Sequence, residues 1–184
     1  VHQLLAAEQG ELMSSTPLTL AETASVFSEM LTFNAILNAE KSEQAKRFML
    51  ADKIEDMLNT VVRQVAFHNF ENLVHTHRRD GELSSEQISQ FWVETQKQAL
   101  GPSIRIDDSF KPIWAYVPHF VHSPFYVYAY AFGDCLVHAL WQVYQDGSDP
   151  EFNTHYKTLL RSGGTVRFDS ALAPFSLNPS APEF

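Results

Sequence analysis

Residues 42–78, SEQAKRFMLADKIEDMLNTVVRQVAFHNFENLVHTHR, are the stretch that decides the fold. Apolar residues recur in it three and four positions apart, which is the spacing of one face of an α-helix. They are Phe48, Met49, Ile54, Leu58, Val61, Val65, Phe67, Phe70, Leu73 and Val74. The pattern predicts one long helix with a broad apolar face, and Asp80 and Gly81 are expected to end it.

Helical patterns continue on both sides of this stretch. Residues 1–7 are predicted to be the tail of a first helix, and a second helix is predicted to begin at Thr19; the long helix is the third. Ser84 and Ser85 are predicted to cap a fourth helix, and residues 124–144 to form a fifth. A sixth is predicted to begin at Asp149 and Pro150 and to end at Gly163 and Gly164. Residues 101–118 are predicted to be a loop with at most one short turn, and the proline-containing tail to be irregular. Two strand-like stretches, 104–106 and 166–168, are too short for a sheet. The sequence therefore predicts an all-α fold, with residues 1–184 as a single helical domain.

The composition excludes several classes of function. The formal net charge is −9 at pH 7, whereas nucleic acids and anionic membranes attract a cationic face. Residues 125–141 are the most apolar stretch, but Asp134 and His138 interrupt it, so a buried helix is predicted rather than a membrane span. The single cysteine, Cys135, excludes an intrachain disulfide and a cysteine-only metal cluster. It also favours a reducing compartment, so a cytoplasmic location is expected.

Glu22 is the first candidate for chemistry. Glu22, Ser25 and Glu29 are three and seven positions apart, which places them along one face of the second predicted helix. Glu22 fits the third position of a capping box that starts at Thr19, and Glu29 fits a solvated helix residue. Alternatively, a carboxylate near an apolar edge is paired or binds a metal, because burying it alone is costly. The spacing leaves both interpretations open.

The second candidate is the segment 118–130, PHFVHSPFYVYAY. Two histidines, His119 and His122, lie on a loop bracketed by prolines, and three tyrosines follow at every second position. Tyr126 and Tyr130 are predicted to share one helix face, while Tyr128 points elsewhere. Imidazole and phenol groups stabilise an oxyanion when a carbonyl is attacked. The other interpretation, packing rings with solvated hydroxyls beside ordinary loop histidines, stays open.

A histidine cluster on the long helix is interpreted as structural. His68 and His75 are seven positions apart and therefore share a face, with His77 close by. No acidic partner is expected at ligand spacing between them, so they are predicted to be surface or helix-end residues.

Together, the two candidate segments resemble the M3 family of zinc metallopeptidases, in its oligoendopeptidase F branch. Residues 1–5 (VHQLL) look like the continuation directly after the family's HExGH motif, and residues 17–29 (PLTLAETASVFSE) like its third-ligand helix. Residues 113–120 (IWAYVPHF) and 123–130 (SPFYVYAY) are similar to the family's substrate-binding motif. Gly163 and Gly164, with residues 179–184, resemble its end.

The resemblance implies a zincin-type, all-α oligopeptidase region and a set of roles for its residues. Glu22 would be the third ligand of one zinc ion, and Glu29 would orient a ligand imidazole. His119 and Tyr126, followed by Tyr130, would stabilise the oxyanion as a zinc-activated water attacks a short peptide. The implied substrate-binding residues are His122 and Tyr128.

No HExxH occurs in the sequence, so two zinc ligands and the general base are missing from it. The chain is therefore expected to be the C-terminal portion of a peptidase that is inactive alone, with the N-terminal part of the same protein as its partner. A peptidase assembled from two chains is a further possibility. The alternative hypothesis is a non-catalytic helical module that binds peptides or regulates a partner.

Overall fold

The computed structural model describes residues 1–181, and in that range it contains helices and turns but no strand, which confirms the all-α prediction. The α-helices are α1 (His2–Ala6), α2 (Thr23–Ala39), α3 (Glu43–Met57), α4 (Arg63–Arg78), α5 (Ser85–Leu100), α6 (His119–His122), α7 (Tyr128–Asp146), α8 (Phe152–Arg161) and α9 (Phe168–Leu172). Shorter 3₁₀ turns are Ala7–Gln9, Leu18–Leu20, Asp108–Tyr116 and Ala173–Phe175. None of the helices described is long and apolar enough to cross a bilayer.

The predicted long helix is present, but a π-helical turn divides it. α3 leads into the π turn Leu58–Val62, and α4 follows directly. The broad apolar face is only partly buried: none of the residues of α3 is buried, and Phe48 is 68% exposed. Phe67 and Phe70 of α4, in contrast, are core residues. A π turn is a rare feature that occurs often beside functional sites.

The capping predictions gave mixed results. Ser84 begins α5 with the predicted cap: its hydroxyl accepts from the Gln87 N–H at 3.3 Å, and the Gln87 side chain accepts from the Ser84 N–H at 2.9 Å. The capping box from Thr19 is wrong. Thr19 lies in the 3₁₀ turn Leu18–Leu20, which buries Leu20, and α2 begins only after Glu22. Glu22 is therefore the N-cap residue itself, and its side chain caps no backbone N–H.

The described residues divide into two compact units, residues 1–51 with 132–181, and residues 52–131. In the first unit the core forms around Phe27, whose ring contacts four other aromatic rings. These are Trp141, Tyr144, Phe152 and Tyr156. The tail, predicted to be irregular, instead forms α9 and buries Leu172 and Phe175 in this core. Residues 182–184, which belong to the predicted tail and to the resemblance over 179–184, lie outside the described residues.

In the second unit the core forms around Trp92, which is fully buried. Its ring stacks on Phe110, with centroids 5.6 Å apart, and its indole N–H donates to the Phe110 carbonyl at 3.1 Å. Residues 101–118, predicted to be a loop with at most one short turn, thus include the nine-residue 3₁₀ stretch Asp108–Tyr116. This anchoring fixes the chain just before His119.

Gly163, just after α8, gives a first testable prediction. Its φ is +51°, and a Cβ there would collide with the carbonyl oxygen of Met13. Gly163→Ala is expected to lower the free energy of unfolding by about 3 kcal/mol, because the left-handed backbone and the collision both oppose it. Urea unfolding of the purified chain measures this.

Gly147→Ala is the matched control, since Gly147 has a φ of +62° but a Cβ there meets nothing within 4 Å. Gly147→Ala is expected to lower the free energy of unfolding by only about 1 kcal/mol, because only the left-handed backbone conformation opposes it. Equal losses in the two variants would contradict the close approach of Met13 to Gly163.

Candidate functional site

The segment predicted to bind substrate is held by the core of the second unit. His119 lies in the short helix α6 rather than in a loop, and α7 begins at Tyr128 rather than at Pro124. The next residue after His119, Phe120, packs its ring on Phe67 and Phe70 at centroid distances of 5.5 and 4.9 Å. Burying this ring fixes the position of α6 and therefore of His119.

His119, Tyr126 and Tyr130 come together in one cluster. The His119 and Tyr126 rings stack with centroids 5.6 Å apart, and the Tyr126 and Tyr130 rings meet edge-on at 5.3 Å. The Tyr130 hydroxyl lies 3.4 Å from Nε2 of His119. All three side chains are partly buried, and each carries a polar hydrogen or can present one. The cluster therefore brings one imidazole and two phenol rings together.

The other two residues assigned to substrate binding lie apart from this cluster. Tyr128 is exposed and its ring meets His68, with centroids 5.6 Å apart. His122, at the end of α6, is exposed. The Tyr128 side chain therefore points away from those of Tyr126 and Tyr130, as their spacing in the sequence predicted.

Glu71 of α4 is a site residue that the sequence analysis missed. It lies three residues after His68 and four before His75, so the prediction that no acidic partner stands between these histidines is wrong. Glu71 is only 1% exposed, and its Oε1 accepts the backbone N–H of Phe125 at 2.8 Å. Phe125 has a φ of +61°, which is unusual for a residue with a side chain. Glu71 therefore holds in place the turn that leads into Tyr126.

His68 and His75 themselves are in contact with this turn. The His75 ring lies 4.6 Å from the Phe125 ring, and His68 contacts both Phe125 and Tyr128. His68 is half-buried, so the surface prediction is wrong for it, while His75 is exposed as predicted. An acidic residue between Phe70 and Val74, on the apolar face of the helix, was the signal that could have revealed the arrangement.

The electrostatics around Glu71 are dominated by its burial. Burial raises the pKa of the Glu71 carboxyl, while the Phe125 N–H and the charges of His68, His75 and His119 oppose the rise. A raised pKa favours the protonated carboxyl in the folded state. The resulting stabilisation is complete below the ordinary pKa of 4.5 and is lost as the pH rises through the folded-state pKa.

Glu71→Gln is accordingly expected to flatten the pH dependence of stability. The free energy of unfolding of the wild-type chain should fall as the pH rises above about 4.5. The variant should lose this contribution, because glutamine keeps an acceptor for the Phe125 N–H but does not titrate. Glu71→Ala should cost about 1–2 kcal/mol at all pH values, since the partly buried Phe125 N–H is left unpaired.

Urea unfolding at a series of pH values measures both effects on Glu71. Glu55→Gln, an exposed change on α3, is the matched control and should leave the pH profile unchanged. A wild-type profile that matches that of Glu71→Gln would contradict the raised pKa.

Glu22 and Glu29 belong to the first unit. Ser25 donates its hydroxyl to Oε2 of Glu22 at 3.0 Å, which leaves Oε1 for another partner. Gly133 lies against Glu22, and a Cβ at Gly133 would be 3.5 Å from the Glu22 Cβ. Glu29 is exposed.

Within residues 1–181, no three His, Cys, Asp or Glu side chains are grouped so that they could hold a metal ion. The described residues therefore do not make a zinc site, and Glu22 can supply one ligand at most.

Comparison with known proteins identifies relatives along nearly the whole chain. The sequence model of Peptidase family M3 matches residues 1–183. Oligopeptidase PepF of Bacillus subtilis (strain 168) is 30% identical over 166 residues, which are 89% of this chain and 24% of that protein. An oligoendopeptidase F homolog of Borreliella burgdorferi is 26% identical over 82% of this chain and 25% of its own length. The chain thus spans about a quarter of the length of these relatives.

A solved structure shows that the likeness extends to the fold. The crystal structure of oligoendopeptidase-F from Enterococcus faecium superimposes with a TM-score of 0.79. The match has 25% sequence identity and covers 98% of this chain and 35% of that one.

Proposed function

Because the chain belongs to peptidase family M3, we propose that it is the substrate-binding, C-terminal portion of a zinc-dependent oligoendopeptidase that hydrolyses short peptides. The observation that carries this proposal is the cluster of His119, Tyr126 and Tyr130. Two relatives are named as an oligopeptidase and an oligoendopeptidase, which supports a short peptide as the substrate.

In this proposal, the cluster binds the oxygen of the scissile carbonyl. The Tyr130 hydroxyl and Nε2 of His119 are 3.4 Å apart, which makes a long and weak hydrogen bond. A substrate oxygen between them would replace that contact with shorter, stronger ones as negative charge develops. The roles of oxyanion donors are assigned to His119 and Tyr126, with Tyr130 beside them.

Tyr128 and His122 are assigned to the flanking parts of the peptide. Both side chains are exposed and lie outside the cluster, so they are placed to contact substrate without contacting the reacting carbonyl. Their contribution is expected to appear in KM rather than in kcat, because such contacts form equally before and during the reaction.

The zinc ion of the complete enzyme is proposed to take one ligand from this chain, Glu22, with Glu29 orienting a ligand imidazole. The remaining ligands and the general base must come from residues outside the described ones, in our proposal from the N-terminal part of the same protein. The chain alone is therefore proposed to be inactive. A cytoplasmic location is part of the proposal, supported by the lone cysteine Cys135.

Hydrolysis of a quenched-fluorescence peptide library by the complete protein, with zinc counted in the same sample, tests the function. The complete protein is expected to cleave short peptides and to contain one zinc ion. The 184-residue chain should show no cleavage. Peptide binding without cleavage by the complete protein would instead favour a non-catalytic peptide-binding module.

A further inference from the structure

An apolar helix face in the second unit lies in contact with solvent. Ile54 near the end of α3 is 57% exposed, and Leu58 at the start of the π turn is 56% exposed. They are four positions apart, and half-buried Val61 follows three positions later, so the three side chains share one face of the helix. We call this surface, made of Ile54, Leu58 and Val61, the α3 face.

The opposite side of the same stretch is polar. Asp52 and Asp56 lie two positions before and two positions after Ile54, which is about half a turn of the helix in each direction. Both carboxylates are exposed. A division into an apolar and a polar side is typical of a helix that packs against another part of a protein through its apolar side.

The helix α3 buries too little surface to be stable by itself. It is 15 residues long, and none of its residues is buried. Helices of about 12–15 residues are marginal in water, and in proteins most of their stability comes from packing of an apolar face. We therefore expect α3 to gain much of its stability from a partner that covers the α3 face.

The length of the relatives indicates which partner this is. The chain spans about a quarter of their length, so most of a protein of that size lies outside it. A second copy of the chain is a less favourable partner, because each copy has a formal net charge of −9 and like charges repel.

We propose that the α3 face is the surface on which the N-terminal part of the same protein docks. The segment that covers it is apolar, because a polar group held against these side chains would lose its water without gaining a partner. The inference rests on the proposed function, since that function places the remaining zinc ligands and the general base in the same N-terminal part.

Cysteine labelling of the complete protein tests this docking surface. Leu58→Cys is the probe, and Asp56→Cys, on the polar side of the helix, is the matched control. Trypsin cuts after Lys53 and after Arg63, so both positions lie in one peptide, residues 54–63, apart from any other cysteine. Mass spectrometry of this peptide gives the rate of labelling by N-ethylmaleimide in the native protein and in urea.

The thiol of Leu58→Cys is expected to react at least about 100-fold more slowly in the native protein than in urea, because only transient opening of the contact exposes it. The thiol of Asp56→Cys should be slowed by no more than about tenfold, since it stays in contact with water. Both ratios should stay constant when the protein is diluted about 100-fold, because the two parts belong to one chain.

Equal ratios at the two positions would overturn the proposal. Protection of Leu58→Cys that disappears on dilution would also overturn it, because the partner would then be a second copy. If Leu58→Cys does not fold, hydroxyl-radical labelling of Ile54 and Leu58 in the wild-type protein provides the same comparison of native and unfolded states.

Neither labelling measurement depends on catalysis, so the two proposals can fail separately. A complete protein that cleaves no peptide but protects Leu58 would refute the proposed function and support the docking surface. An active peptidase in which Leu58 reacts as fast as in urea would overturn the docking surface and leave the proposed function intact.

Discussion

Replacing His119 with alanine in the complete protein is expected to lower kcat by about two to three orders of magnitude, the usual cost of losing one donor to a developing oxyanion. KM should change little, because the proposed hydrogen bond is strong only when negative charge is on the carbonyl oxygen. Steady-state kinetics with a single quenched-fluorescence peptide measure both constants. Tyr126→Phe and Tyr130→Phe separate the two hydroxyls from their rings.

His122→Ala is the control that isolates the effect at His119. The two histidines lie three residues apart on α6, and His122 is exposed. Its loss is expected to raise KM by about threefold or less and to leave kcat unchanged, as for a contact made equally in ground and transition states. Losses of kcat of the same size in both variants, or an unchanged kcat in His119→Ala with normal unfolding, would contradict the assignment of His119.

Local sequence patterns predicted the helices well where a single local interaction decides the outcome. The start of α5 at Ser84 follows from a cap that Ser84 and Gln87 complete within four residues. The start of α2 was wrong because two local arrangements compete there. Burial of Leu20 favours the 3₁₀ turn Leu18–Leu20 over the capping box, and that burial depends on the tertiary core.

The candidate site shows the same division between local and distant interactions. The ring contact of Tyr126 with Tyr130 was predictable from their spacing of four, even though Tyr126 precedes α7. The role of Glu71 was not predictable, because the Phe125 N–H that donates to its carboxylate lies 54 residues further along the chain. Periodicity predicts which residues share a face of one helix, but it does not predict which loop packs against that face.

Glu22→Gln in the complete protein is expected to weaken zinc binding by more than about 100-fold, since even residues that only orient metal ligands are worth about 10–100-fold. Glu29→Gln should fall within that smaller range, and Glu11→Gln, an exposed change, should have no effect. Zinc content after dialysis against a series of chelator concentrations measures all three effects.

Glutamine at position 22 can still accept a hydrogen bond from the Ser25 hydroxyl, so the start of α2 is expected to stay folded. Urea unfolding of the variant checks this. Full zinc content and activity in Glu22→Gln would refute the ligand assignment. Zinc loss accompanied by normal unfolding would locate the effect at the metal rather than in the helix.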